Sequence, residues 1–174
     1  MATEPITIPA AGEYRIDPDR STISFATRHL FGLAPVRGTF RLRSGHIRVA
    51  GRLADSTARA TIAADSFHTA TPARDRTIRS ARFLDTGNHP DIVFASTGLG
   101  QAGDGWVLHG TLTVRGHTRP VRVRVVSLHP SDSGLRLCAS ARIDRHEFGI
   151  TAGRGMTGRR LTLTLEIGAT AGPR

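Results

Sequence analysis

Residues 161–167 read Leu161-Thr-Leu-Thr-Leu-Glu-Ile167, four aliphatic side chains separated by Thr162, Thr164 and Glu166. A strand sends successive side chains to opposite faces, so this stretch is apolar on one face and polar on the other. The same period of two recurs along the chain. Val121-Arg-Val-Arg-Val125 places its arginines outside, and Leu135, Leu137, Ala139, Ala141 and Ile143 alternate with Arg136, Cys138, Ser140 and Arg142. Trp106, Leu108, Gly110, Leu112 and Val114 alternate with Val107, His109, Thr111 and Thr113. Ile23 and Phe25 alternate with Thr22, Ser24 and Ala26, and Ala58, Ala60 and Ile62 with Arg59 and Thr61. Strand segments fall near residues 14–17, 21–29, 36–50, 57–65, 91–99, 106–115, 119–128, 135–144 and 160–168. Joining one or two of them leaves about eight strands.

Hairpin chemistry stands at Pro18-Asp19-Arg20-Ser21, Arg43-Ser44-Gly45-His46, Gly103-Asp104-Gly105, Arg115-Gly116-His117 and Ser131-Asp132-Ser133-Gly134. The stretch from Pro72 to Phe83 breaks the alternation. Pro72 suits a first helical position, and Ile78, Ala81 and Phe83 would turn an apolar edge inward, which predicts a short helix near residues 72–83. One such helix cannot cover all the one-faced strands, so the sheet closes on itself as a barrel or a sandwich. Ala58, Ala60, Gly110, Ala139 and Ala141 are small residues at inward positions, which favours an interior cavity over a filled sandwich core. The expected division is a flexible segment 1–12, one domain over 13–168 and a tail at 169–174.

At 174 residues and 39% apolar composition, one domain with its own core is expected. No apolar run approaches the ~18 residues of a membrane-spanning helix. The opening Met1-Ala-Thr-Glu-Pro offers an acid and a proline where a secretory signal has basic residues, so a cytoplasmic protein is expected. The formal charge of +10 comes from 24 basic residues, all arginine, spread from Arg15 to Arg174 without a basic block. Aromatic residues sit mostly at strand-like apolar positions. A solvated basic surface is therefore the better reading than a nucleic-acid site.

Two matches to G-x-G-x-x-G, Gly98–Gly103 and Gly153–Gly158, lead into strands rather than opening a helix, so neither predicts a dinucleotide site. The eight histidines include no His-x-His or His-Glu-x-x-His pair, and no metal or cofactor is expected. There is no Gly-x-Ser-x-Gly elbow, and Cys138 lies on the polar phase of its strand. Arg74-Asp75-Arg76 reads either as a solvated helix start or as a polar group at a barrel mouth, joined there by His29 at the end of its strand. Asp144-Arg145 poses the same choice.

Taken together, Tyr14-Arg-Ile-Asp17, Ser21-Thr-Ile-Ser-Phe25, Arg28-His29, Thr69, Arg74-Asp75, Ile78-Arg79-Ser80-Ala81 and Phe83-Leu84-Asp85 form a familiar series. It continues with His89-Pro-Asp-Ile-Val-Phe94-Ala-Ser96, Gly110-Thr-Leu-Thr-Val-Arg-Gly116-His-Thr118, Asp144-Arg145 and Phe148-Gly-Ile150. Over residues 13–168 the chain resembles the YceI-like family of polyisoprenoid-binding proteins. The resemblance implies an all-β fold, an extended eight-stranded antiparallel lipocalin-like β-barrel with an apolar tunnel. It also implies a homodimer and, for many members, export to the periplasm. This chain is expected to depart from the pattern in lacking an export signal, and it carries Thr77 where histidine is common and Arg82 where an acid is usual.

The function implied is non-enzymatic: binding, transport or sequestration of a long apolar ligand such as a polyisoprenoid, an isoprenoid quinone or a fatty-acid-like lipid, with transient membrane contact. The candidate wall residues are Ile23, Phe25, Phe40, Ile62, Ile78, Phe83, Phe94, Leu112, Val123 and Leu137, and the candidate polar groups His29, Arg74, Asp75 and Arg145. Two other readings stay open: an enzyme on an apolar substrate that uses His29, Arg74 and Asp75, and a nucleic-acid-binding barrel.

Overall fold

The computed structural model describes residues 6–103 and 105–173. Its strands, in chain order, are β1 (Gly12–Ile16), β2 (Thr22–His29), β3 (Ala34–Val49), β4 (Thr57–His68), β5 (Asp91–Ala102), β6 (Gly105–Val114), β7 (His117–Ser131), β8 (Gly134–Asp144) and β9 (Arg160–Ala171). Helix α1 (Pro72–Arg79) lies between β4 and β5. All strand pairings are antiparallel, and the ladder from β2 through β3, β4, β5, β6, β7, β8 and β9 returns to β2. The sheet is a closed barrel, which leaves no long unpaired edge.

The barrel has eight staves although nine strands are described, because β1 and β2 share one. β1 fills the gap between His46–Val49 of β3 and Ala169–Ala171 of β9, and β2 fills the next stretch of the same gap. The break between them is a 3-10 turn at Pro18–Arg20. Asp17 accepts from the Asp19 N–H at 2.9 Å, and the Ser21 hydroxyl donates to the Asp17 carbonyl at 2.7 Å. The hairpin expected at Pro18–Ser21 is thus a kink, and the chain keeps its direction.

The hairpin expected at Arg43–His46 is also absent. β3 runs through it, with a bulge between Leu42 and Ser44 taking up the irregularity and the Ile16 side chain packed over Gly45. The turns at Arg115-Gly116 and Asp132-Ser133 are two-residue hairpins closed by Val114–His117 and Ser131–Gly134. Ala102 and Gly105 bracket a further turn, whose Asp104 lies outside the described residues. β9 continues to Ala171, into the stretch expected as a tail, with Ala169 buried opposite Leu135. At the other terminus the Thr7 N–H donates to the Leu128 carbonyl at 2.7 Å; residues 1–5 lie outside the described residues.

α1 stops four residues short of the expected Phe83. Ser80 is extended, and its hydroxyl caps the Thr77 carbonyl at 2.6 Å. Ala81 is consequently exposed instead of facing inward, while Phe83 is carried into the core by the following turn. Arg115 holds that turn by donating to the Phe83 carbonyl at 3.0 Å.

Inside the barrel are two apolar clusters. One, around Tyr14, Ile16, Leu42, Val49, Leu135, Ile167 and Ala169, packs the end where β1 sits. The other gathers Phe25, Phe67, Phe83, Leu112, Phe148 and their neighbours at the end that carries α1. None of the small inward positions lines the cavity, and at Gly110 a neighbouring ring fills the space. A Cβ on Gly110 would lie 2.5 Å from the Phe94 ring, and the Phe25 ring covers Gly38 in the same way. Aromatic rings laid over strand glycines replace the missing side chains. The space inferred from Ala58, Ala60, Gly110, Ala139 and Ala141 is not where the cavity lies.

Candidate functional site

The cavity occupies the α1 end of the barrel and has a volume of about 450 Å3. β2 contributes Ile23, Phe25, Thr27 and His29, residues of one parity and hence one face. The far ends of β4, β6 and β8 and the near ends of β3, β5 and β9 supply Phe67, Leu112, Val114, Ile143, Val36, Ile92, Leu161 and Leu163. α1 closes the side with Ala73, Arg74, Thr77 and Ile78, one face at i, i+4 spacing. Phe25, Phe40 and Phe67 form an aromatic triad with ring centroids 5.2–5.6 Å apart. The floor is Ile23, Phe40 and Ile62, where the hollow end meets the packed cluster.

Polar groups are few and lie toward the mouth. Arg145 is 6% exposed and borders the cavity. Its guanidinium donates to the carbonyls of Gly158 (2.8 Å), Ile150 (2.8 Å) and Thr157 (3.1 Å) and lies 5.6 Å from the centre of the Phe83 ring. It thereby ties the 3-10 turn Arg145–Phe148 to the loop preceding β9. Burial pushes its pKa down, opposed by the nearby Asp144 carboxylate. The Asp144 side chain itself turns to Arg159, which donates from Nε at 2.9 Å and Nη2 at 2.8 Å, so the neighbours in sequence diverge. That guanidinium holds the Asp144 carboxyl below the usual aspartate range, against a smaller opposing effect of burial.

Asp75 does not face the cavity. It is 4% exposed and accepts from the Thr69 N–H (2.9 Å) and Thr69 hydroxyl (2.6 Å), with His68 Nδ1 at 3.4 Å. It fastens the chain as it leaves β4 for α1. Neither a solvated helix start nor a mouth group paired with Arg74 describes it.

Of the residues singled out in the sequence, Ile23, Phe25, His29, Phe40, Ile62, Arg74, Ile78, Phe83, Leu112 and Arg145 line the cavity together. Phe94, Val123 and Leu137 point into the barrel but pack in the closed parts of the core, and Asp75 belongs to the turn. The lining residues that sequence reading missed include wall positions such as Val36, Ile92, Ile143 and Leu161, the ring of Phe67, and the loop residues Met156, Thr157 and Gly158. Alternation along β4 runs through Ala58, Ala60, Ile62 and Ala64 and would send Phe67 outward. Pairing instead jumps from Arg41–Ala63 to Thr39–His68, and the Ser66 hydroxyl fills the irregularity by accepting from the Arg41 N–H at 2.7 Å. That bulge brings Phe67 inside. The loop residues carry no periodic signal at all.

The arrangement suits binding of an apolar body with a small polar end. Among the described residues no cluster of three or more His, Cys, Asp or Glu has the geometry for a metal ion. Neither Gly98–Gly103 nor Gly153–Gly158 opens a helix. A closed eight-stave antiparallel barrel with an apolar hollow at one end defines a lipocalin-like β-barrel.

Comparison with known proteins gives the class its family. Residues 14–169 match the model of the YceI-like domain, and the chain belongs to that family. It is 30% identical over 166 residues to protein YceI of Salmonella arizonae, covering 90% of this chain and 86% of that protein. It is 29% identical over 165 residues to a UPF0312 protein of an Enterobacter species, covering 90% and 85%. Among solved structures it is similar to Burkholderia cenocepacia BcnA, with a TM-score of 0.76 at 19% identity over 87% of this chain and 98% of that one. A polyisoprenoid binding domain from Saccharophagus degradans, implicated in plant cell wall breakdown, gives 0.67 at 16% identity over 94% and 100%.

Proposed function

We propose that the chain binds and carries a long apolar ligand, a polyisoprenoid, isoprenoid quinone or fatty-acid-like lipid, without chemical change to it. The observation that carries this reading is the 450 Å3 apolar hollow open at the α1 end, within the roughly 300–1,000 Å3 range of ligand sites. Each methylene withdrawn from water contributes about 0.8 kcal/mol, so ten of them offset much of the entropy lost in immobilising a flexible tail. Aliphatic walls discriminate poorly between chains, which leaves selection to His29, Arg74 and Arg145 at the polar end. Membership of the YceI-like family and the likeness to the polyisoprenoid binding domain of Saccharophagus degradans support the same ligand class.

Extraction of purified protein with organic solvent, followed by mass spectrometry, tests it. A long-chain species is expected from the wild type and not from Ile62→Trp, whose indole fills the floor of the cavity. Equal, negligible lipid from both, with no uptake of added long-chain quinone or fatty acid, would overturn the carrier reading. Pairing of two copies belongs to the same proposal and is read by light scattering. Cell fractionation tests the expected cytoplasmic location.

A further inference from the structure

The turn between β2 and β3 is Leu30-Phe31-Gly32-Leu33, and its apolar side chains are left outside. Phe31 is 80% exposed, Leu33 82% and Leu30 39%. Met156, in the facing loop before β9, is 52% exposed. Scattered surface apolar residues are ordinary, but these four sit on two loops bonded to each other. The Leu30 N–H donates to the Met156 carbonyl at 3.2 Å and the Phe31 N–H to the Gly155 carbonyl at 2.6 Å. Leu30 and Phe31 hold φ of 52° and 55°, a left-handed conformation costly for such residues, and the Phe31 ring rests against Gly155. The backbone is strained and pinned so that large apolar groups project from the protein.

The ground around them is cationic. Residues 26–37 and 152–160 contain no aspartate or glutamate, and Arg28, Arg37, Arg154 and Arg160 are exposed. A groove of about 550 Å3 beside Phe31 is lined by Arg28, Arg37 and Arg160, together with Arg159, which Asp144 engages. Along the chain the nearest carboxylates are Asp19, Glu147 and Glu166, all outside both loops, and Asp144 is engaged by Arg159. The patch also borders the cavity, since His29 and Met156 through Gly158 line it.

We propose that these two loops dock the protein on an anionic lipid bilayer. Phe31, Leu33, Leu30 and Met156 enter the interface, the arginines meet lipid phosphates, and the cavity mouth is held against the membrane that supplies the apolar ligand. Exposed apolar groups beside arginines, on two loops that carry no carboxylate, match an interface whose outer layer is negative and whose interior is hydrocarbon. The ligand's origin in the bilayer rests on the carrier reading; the docking itself does not.

Co-flotation with vesicles tests the proposal, using phosphatidylcholine alone against phosphatidylcholine with roughly a third phosphatidylglycerol. Binding to the anionic vesicles is expected to be at least about tenfold tighter than to neutral ones and to fall with salt. The double variant Phe31→Ser/Leu33→Ser is expected to lose about tenfold, and Arg28→Gln/Arg37→Gln to lose the preference for anionic lipid. All these residues are exposed, so an unchanged melting temperature confirms that the variants fold. Ile62→Trp separates the two readings: it should still float with anionic vesicles even if no lipid is ever extracted from the cavity. Absence of binding, equal binding to both vesicles, or an unaffected Phe31→Ser/Leu33→Ser variant would overturn the proposal. So would a wild-type dimer that this variant converts to monomer, because the patch would then be covered by a second copy.

Discussion

Replacing Arg145 by methionine keeps most of the aliphatic bulk and removes all three donors that close the cavity mouth. The Ile150 carbonyl sits in a buried bond, so losing its partner costs about 1–3 kcal/mol. The Gly158 and Thr157 carbonyls are part-buried and regain some water, which adds about 1 kcal/mol between them. Loss of the cation beside Phe83 adds about 0.5–1 kcal/mol, while relief from burying a charge acts in the opposite direction. The net destabilisation is about 2–4 kcal/mol, a fall of about 1–2 M in the urea midpoint for a slope near 2 kcal/mol per M. Arg145→Lys should recover less than half of this, since one ammonium cannot replace a planar fork reaching three carbonyls. Urea unfolding followed by circular dichroism measures both. A shift below about 0.3 M for methionine, or full rescue by lysine, would refute the view that the guanidinium staples the mouth.

Asp75→Ala removes the single carboxylate oxygen, Oδ1, that accepts both Thr69 hydrogen bonds and should cost about 2–3 kcal/mol, lowering the melting temperature by roughly 5–10 °C; Asp75→Asn, whose amide oxygen can take the place of Oδ1, should cost less. Gly110→Val drives a side chain into the Phe94 ring and toward the Ala95 carbonyl, 2.6 Å from the first added carbon, and should destabilise by about 2–4 kcal/mol in the same assay. The depressed pKa of Asp144 gives stability that is fully present above the ordinary aspartate value near 4 and is lost as pH falls through the lower folded value. Arg159→Ala removes that dependence, so wild type and variant should differ in urea midpoint near pH 7, and the difference should shrink progressively as the pH falls below about 4.

The phase of the alternating stretches was legible up to their bulges; their height in the barrel was not. Alternation places Phe94, Val123 and Leu137 inside as surely as Leu112, because a period of two states which face a residue takes and nothing about position along the axis. Whether an inward residue borders the hollow depends on the strand-to-strand register, which bulges at Leu42/Ser44, Ser96/Gly98 and Val125/Ser127 reset. Phe67 shows the cost of a hidden bulge, and Asp75 that of reading charge without partners. A carboxylate in the first turn of a helix looks solvated until Thr69 folds back over it. Gly110 misled for a related reason: a missing side chain reads as space, yet the Phe94 ring, two positions along the neighbouring strand from its partner Ser96, fills it.

Among the described residues the barrel is packed at one end and hollow at the other. On the carrier reading, a chain-like guest would enter tail first and leave head first by the mouth at the hollow end, without threading the packed one. Any length beyond the hollow stays outside with the head group, near Phe31 and Leu33. Depth therefore sets how much of a guest is sheltered, not how long it is allowed to be. Guests of different lengths can share one barrel, and what distinguishes them is the part left at the door.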